Sequence, residues 1–280
     1  GQSGNIGIGF AIPANEADRQ VLAKLLVADR CLYGVDKNAL AVEMAKLSLW
    51  LVTLAKERPL TFLDHALKCG DSLVGVNQVQ LQRWDLRATP DRKPRFEPFG
   101  TGLDLQKLIA LRREVQTAPE HNVQDQRVKA HILAEADALA HDLRRGADLL
   151  VASYFSDLRT GEVERLREGL WRTFRLGADA PVETPDLAAA VPGGLRPLHW
   201  ALEFPEVFLA DTLGGFDAVI GNPPFLGGKR ISTILGDAYH RFLRGVWAHA
   251  SGSADLCAYF FLRAFQNVRQ GGSFGLLATN

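Results

Sequence analysis

The 280-residue chain is 47% apolar and 23% charged, with Lys+Arg and Asp+Glu both at 32, so it has a globular composition and no global cationic field that would hold a polyanion. Its cysteines, Cys31, Cys69 and Cys257, fall at no paired spacing and its histidines are scattered, which argues against a disulfide framework or a metal site and suits a reducing cytoplasm. No apolar run has the length of a membrane span and the N-terminus lacks a basic-then-apolar signal, so no membrane association is expected.

In chain order, CLYGVD (31–36) reads as a short buried strand and 38–58 as a helix that Asn38 can cap. That helix is apolar around most of its circumference, through Leu40, Val42, Met44, Leu47, Leu51 and others, which predicts cover on more than one side. HALKCGDSL (65–73) is a second short strand running into a turn, followed by a Pro- and Arg-rich connector from Arg83 to Gly100. From Leu103 to Leu176 the periodicity turns helical and charged, predicting three or so helices with solvated faces. A Pro/Ala/Gly linker (177–194) leads to LHWALEFPEVF; then FDAVIG (216–221) resumes the strand pattern, 253–268 is an apolar helix, and GGSFGLLATN is a turn into another strand. The fold class expected is α/β, one parallel sheet interrupted by a helical insertion: residues 1–82 begin the α/β domain, 83–197 form the connector and insertion, and 198–280 resume the domain.

Ligands of an open parallel sheet bind beyond the carboxyl ends of its strands. Three predicted strands end in polar residues: Asp36, Asp71 and Asn222. An acid in the place of Asp36 can accept from both hydroxyls of a ribose, or can simply begin the turn into the next helix; Asp71, in Gly-Asp-Ser, is a ligand or ordinary turn chemistry.

Asn222-Pro223-Pro224-Phe225 is the most informative stretch. An amino group on a base or an amide is a poor nucleophile because its lone pair is delocalised. The Asn222 side-chain oxygen can accept one of its protons and the Pro223 carbonyl the other, pulling the nitrogen toward a tetrahedral geometry. Consecutive prolines hold those acceptors still and present no N–H of their own. Phe225 then offers a face on which a flat ring can stack once a base has left the duplex. The plainer alternative is a strand-ending turn with Phe225 in the core. Lys229 and Arg230, with Arg241 and Arg244, come after this loop and suit either phosphate contacts or a solvated surface.

GVDKNALAVEMAKLSLWL, CGDSL, LHWALEFPEVF and FDAVIGNPPFLGG together resemble the S-adenosylmethionine-dependent, amino-methylating DNA adenine methyltransferases. The resemblance is greatest to the large fused kind found in type IIG restriction-modification enzymes and phage-exclusion systems, and runs from about Arg30 to Asn280. It implies a Rossmann-like methyltransferase sheet, here incomplete. It also implies a cytoplasmic enzyme acting on an adenine flipped from double-stranded DNA, with a nuclease and a target-recognition region fused or associated. The acid matching Asp36 would hold the cofactor ribose; Asp71, with Ser72 beside it, would meet the cofactor adenine's amino group. Asn222, Pro223 and Phe225 would bind the target adenine, with Pro224 shaping the loop, and Asp255 and Tyr259 would line the substrate pocket. The family's acid-Pro-Gly-x-Gly cofactor loop has no match before Asp36; GQSGNIGIGF has glycines without the preceding strand. The chain therefore reads as a fragment that binds cofactor weakly by itself. The same chemistry on a protein glutamine or an RNA base, and a non-catalytic interaction module, are the rival readings.

Overall fold

The computed structural model describes residues 12–53, 63–87, 103–118, 123–156, 160–176, 193–208, 214–247, 250–251 and 253–277. The expected glycine-rich opening, the tail of the 38–58 helix, the connector beyond Arg87 and the linker up to residue 192 lie outside them. The described residues divide into two compact units: one takes in residues up to Gly70 with Gln106–Ala140, the other Asp71–Leu105 with His141 onward.

The first unit opens with helix α1 (Glu16–Arg30), which the sequence pattern did not single out. The local chemistry for it is complete: the Asn15 side chain accepts from the Ala17 N–H, Glu16 and Asp18 stand in the first turn, and Arg30 in the last. Strand β1 (Gly34–Asp36), helix α2 (Ala39–Val52) and strand β2 (Leu67–Cys69) then form a parallel pair with its crossover, in the register Gly34↔Leu67 to Asp36↔Cys69. Asn38 caps α2 as expected, accepting from the Leu40 N–H.

Among the described residues, the two-sided cover expected for α2 is not found. Val42 is buried with Leu63 and Leu67, and Leu25, Leu49 and Trp50 pack against them. Leu40, Met44, Leu51 and Val52 remain 69%, 56%, 56% and 60% exposed.

Helix α3 (Gln78–Arg83), helix α4 (Leu103–Thr117) and the long helix α5 (Val123–Phe155) come next in the chain. In the first unit, α4 and the start of α5 meet α1 through a buried polar cluster. Lys129 Nζ lies 3.3 Å from Asp29 Oδ1, and Arg112 donates to the His65 carbonyl at 2.7 Å. His65 Nε2 stands 2.9 Å from the Asp29 carbonyl, an oxygen that can only accept, so this ring nitrogen carries the proton.

In the second unit, α3 is closed by a reciprocal capping box between Asn77 and Gln80, and Trp84 behind it takes a left-handed conformation at φ +52°. Its indole donates to the Arg167 carbonyl, and Arg167, on helix α6 (Thr160–Leu176), donates back to the Trp84 carbonyl. The short helices α7 (Trp200–Glu203) and α8 (Pro205–Phe208) lead to strand β3 (Phe216–Gly221); helices α9 (Gly228–Leu235), α10 (Asp237–Val246) and α11 (Leu256–Asn267) lead to strand β4 (Val268–Leu276). Three or so helices were expected between 103 and 176, and α4, α5 and α6 occupy that region.

Strands β3 and β4 pair in parallel, but β4 begins directly after α11 where a turn was expected. The glycines make a bulge within the strand: Phe216 faces Val268 while Ala218 faces Ser273. Gly271 has φ +79°, and a Cβ on Gly272 would stand 2.5 Å from the Val268 side chain and 2.8 Å from the Asp217 carbonyl. The fold is α/β; among the described residues the strands pair as two two-stranded parallel sheets, β1-β2 and β3-β4, with an isolated parallel bridge between Asp71 and Pro197, where one sheet was expected. Among the described residues no helix is long and apolar enough to cross a membrane.

Candidate functional site

The site is built from the end of β3. Phe216 opens the strand in an aromatic cluster, edge-on to Trp200, Phe204 and Phe208 at 6.1, 5.9 and 5.2 Å between ring centres. Gly221 closes it, its carbonyl accepting from the Leu277 N–H at 3.0 Å. The strand thus has a fixed start and end, and both aim the loop that leaves it.

Asn222 is exposed, and its side chain has no hydrogen-bond partner among the described residues. The Pro223 carbonyl likewise accepts from no backbone N–H among them. Pro223 itself is buried, Pro224 exposed, and the Phe225 ring is 45% exposed where a core residue would be covered. The plainer alternative puts Phe225 in the core, and that ring is half-exposed.

The loop is held at its downstream end. The Leu226 N–H donates to Asp255 Oδ1 at 3.3 Å, and the Leu226 carbonyl accepts from the Leu256 N–H at 2.9 Å. Asp255 Oδ1 also accepts from the Cys257 N–H at 2.9 Å and so caps α11. Partial burial pushes the Asp255 carboxyl up, but the hydrogen bonds from Cys257 and Leu226 outweigh it and hold the group below the usual aspartate range. Gly228 lies so close to the Ser253 carbonyl that a Cβ would stand 2.6 Å from it. The resemblance places Asp255 in the substrate pocket; its geometry is that of a clamp on the loop.

In the same unit as the loop lies the turn of Asp71. Its backbone N–H donates to the Arg196 carbonyl at 2.7 Å, and its Oδ1 accepts from the Leu73 and Val74 N–H groups at 3.0 and 3.2 Å. The Tyr239 hydroxyl, from α10, donates to the same carboxylate, 2.9 Å from Oδ2. Arg263, from α11, is buried under the turn: Nη2 donates to the Leu73 carbonyl at 2.9 Å, and the guanidinium lies 5.0 Å from the Trp247 ring centre. Burial pulls Arg263 down to about 10, with Asp71 and Tyr239 opposing the fall, so it stays charged at neutral pH. Ser72 is half-buried, its carbonyl accepting from the Trp200 indole at 3.1 Å.

Tyr259, named by the resemblance as a pocket residue, is fully buried and packs edge-on to Trp247 at 5.8 Å, so a substrate cannot reach its ring as the structure stands. Lys229 and Arg230, at the start of α9, are exposed and without an ionic partner among the described residues. Asp36 belongs to the first unit. It ends β1, exposed, with Oδ1 accepting from the Asn38 N–H at 2.7 Å and no partner for Oδ2 among the described residues. The turn role of this acid is therefore real, and it uses one oxygen of two.

Tyr239 and Arg263 were not singled out from the sequence. Both left a signal: Tyr239 lies on the Tyr239, Phe242, Leu243 stripe of an amphipathic helix, and a phenol buried there needs an acceptor. A lone cation within LCAYFFLRAF similarly requires buried partners.

The family model for the Eco57I restriction-modification methylase matches residues 30–280. A protein of Methanocaldococcus jannaschii, provisionally named a type II restriction enzyme and methyltransferase, is 26% identical over 219 residues, covering 69% of this chain and 18% of its own length. The chain thus spans less than a fifth of that curated relative. No solved structure matches it.

Proposed function

The chain belongs to the Eco57I restriction-modification methylase family, and from that premise we propose that the intact gene product methylates the exocyclic amino group of adenine in double-stranded DNA, within a restriction-modification or phage-defence system in the cytoplasm. The observation that carries this is the Asn222 amide, exposed and without a partner among the described residues at the tip of a fixed strand, on a loop pinned at Leu226 and beside a half-exposed aromatic ring.

Each residue has a task. Asn222 Oδ1 and the Pro223 carbonyl accept the two amino protons, which frees the nitrogen lone pair. Phe225 stacks on the flipped base, and Asp255 keeps the loop from yielding as the acceptors pull. Strong base catalysis is unnecessary because the amino proton becomes acidic once the nitrogen has been alkylated. The catalytic power is that of preorganised acceptors and positioning. Lys229 and Arg230 are suited to phosphates beside the flipped nucleotide.

The Asp71 turn fits the adenine end of S-adenosylmethionine: its carboxylate, held by backbone N–H groups and a phenol, can accept from an amino group. When bound, that cofactor supplies an electrophilic methyl group on a sulfonium. The reading extends to a Rossmann-like sheet for the complete enzyme, with nuclease and target recognition supplied by other regions of the protein or by a partner.

Mass spectrometry of nucleosides from cells expressing the intact gene tests the proposal. N6-methyladenine is expected with the native gene and absent with Asn222→Ala. Methylated cytosine, or methylated protein with unmodified DNA, would overturn the adenine assignment.

A further inference from the structure

The Asp71 turn is gripped by α10 and α11, the two helices that come after α9 in the chain. From α11, Arg263 holds its carbonyls, those of Leu73 at 2.9 Å and Gly75 at 3.5 Å. From α10, Tyr239 reaches its carboxylate, 2.9 Å from Oδ2 and 3.2 Å from Oδ1. These grips differ in kind. The first is structural, a buried cation on main-chain oxygens. The second falls on the functional group itself.

An aspartate carboxyl turns broadly about its last bond and its two oxygens turn together, so every hydrogen bond to either oxygen narrows the same rotation. The Leu73 and Val74 N–H groups engage Oδ1. Tyr239 completes the constraint from the Oδ2 side, and it can do so only as a donor because its partner is a carboxylate. Burial, followed by the charge of Asp71 and the hydrogen bond to it, pushes the phenol well above its ordinary value, so it remains a donor across the physiological range. The ring is 4% exposed and lies on the same face as Phe242 and Leu243, which fixes the hydroxyl in place.

We infer that Tyr239 is a positioning residue of the cofactor site, its hydroxyl setting the direction in which the Asp71 carboxylate meets the amino group of the cofactor's adenine. This rests on the reading of Asp71 as the acceptor for that amino group. It adds a basis for specificity: a carboxylate held in one orientation favours an amino-purine and disfavours a 6-oxo-purine, which turns an acceptor toward it. A site built around one hydrogen bond rejects the analogue that lacks it far more strongly than a loose one does.

The test is calorimetric binding of S-adenosylhomocysteine and its 6-oxo analogue, S-inosylhomocysteine, to the intact gene product and its variants. The native protein should prefer the adenosyl ligand on the order of a hundredfold. In Tyr239→Phe the preference should shrink about tenfold, through weaker binding of the adenosyl ligand with the inosyl ligand little changed. A merely structural role would weaken both ligands alike and leave the ratio intact. An unchanged ratio in Tyr239→Phe overturns the inference while leaving the site reading standing. A native protein that binds both ligands equally, or neither, overturns the reading of Asp71 and this inference with it. In the Asp71→Ala background, where the preference is already lost, adding Tyr239→Phe should change the ratio no further; a further change would show that the tyrosine acts by another route and overturn the inference.

Discussion

Asn222 and Phe225 separate function from stability because the fold makes little use of either side chain. The amide has no partner among the described residues and the ring is 45% exposed. Surface groups of that kind contribute within about 0.5 kcal/mol to folding. Asn222→Ala should therefore leave the melting temperature unchanged while lowering methylation by about a hundredfold or more, the usual effect of deleting one preorganised polar group. Phe225→Ala should weaken single-turnover methylation by an amount equivalent to about 1–3 kcal/mol of base stacking, and Phe225→Trp should restore most of it. Arg263 is the opposite case, since its charge is buried under the Asp71 turn. Arg263→Met should cost roughly 3 kcal/mol of stability by urea denaturation, because the Leu73 carbonyl loses a charged donor in a dry setting.

Among the elements, the junction of the Asn222–Phe225 loop with α11 depends on one carboxylate. Asp255→Ala removes a helix cap and the hold on Leu226 together, and should cost about 1–2 kcal/mol of stability with a larger loss of turnover. Its folded-state titration lies below the ordinary range, so its contribution is fully present above the unfolded value near 4 and fades as the pH falls through the lower, folded one. Acid denaturation curves of the native chain and Asp255→Ala should thus converge at low pH and diverge above about pH 4. Gly75 is a second dependency: at φ +153°, a Cβ would stand 1.9 Å from the Leu198 carbonyl. Gly75→Ala should yield a protein with much reduced soluble expression. The strands, α2 and the α11 segment were legible because apolar runs, capping residues and short strand patterns are local. The bulge of β4 was not, because two glycines before an apolar run look the same whether the chain turns or pleats; only the partner strand decides. The loop residues draw notice in the sequence for a chemical reason, since Asn-Pro-Pro-Phe offers rigid acceptors and an aromatic face. Tyr239 does not, since its partner lies 168 positions away and no local pattern records that distance.

At the scale of the molecule, the chain divides into two compact units, and α5 contributes residues to both. Helix periodicity marks where a helix runs, and gives no information on which neighbours claim its faces. In the first unit the buried group of Asp29, Lys129, His65 and Arg112 joins segments far apart in the chain. Asp29→Ala should destabilise that unit by about 3 kcal/mol, visible in hydrogen exchange as faster labelling of α1 and the 63–70 segment with β3 and β4 little altered. The side of α2 left exposed among the described residues has a practical consequence. Met44, the sole methionine of the 280 residues, stands there 56% exposed. A single carbon-13 methyl label would give one resonance reporting on that helix alone, and mild peroxide would convert one thioether, at one address, to a polar sulfoxide. Any surface that comes to rest against α2 would shift that signal and shield that sulfur.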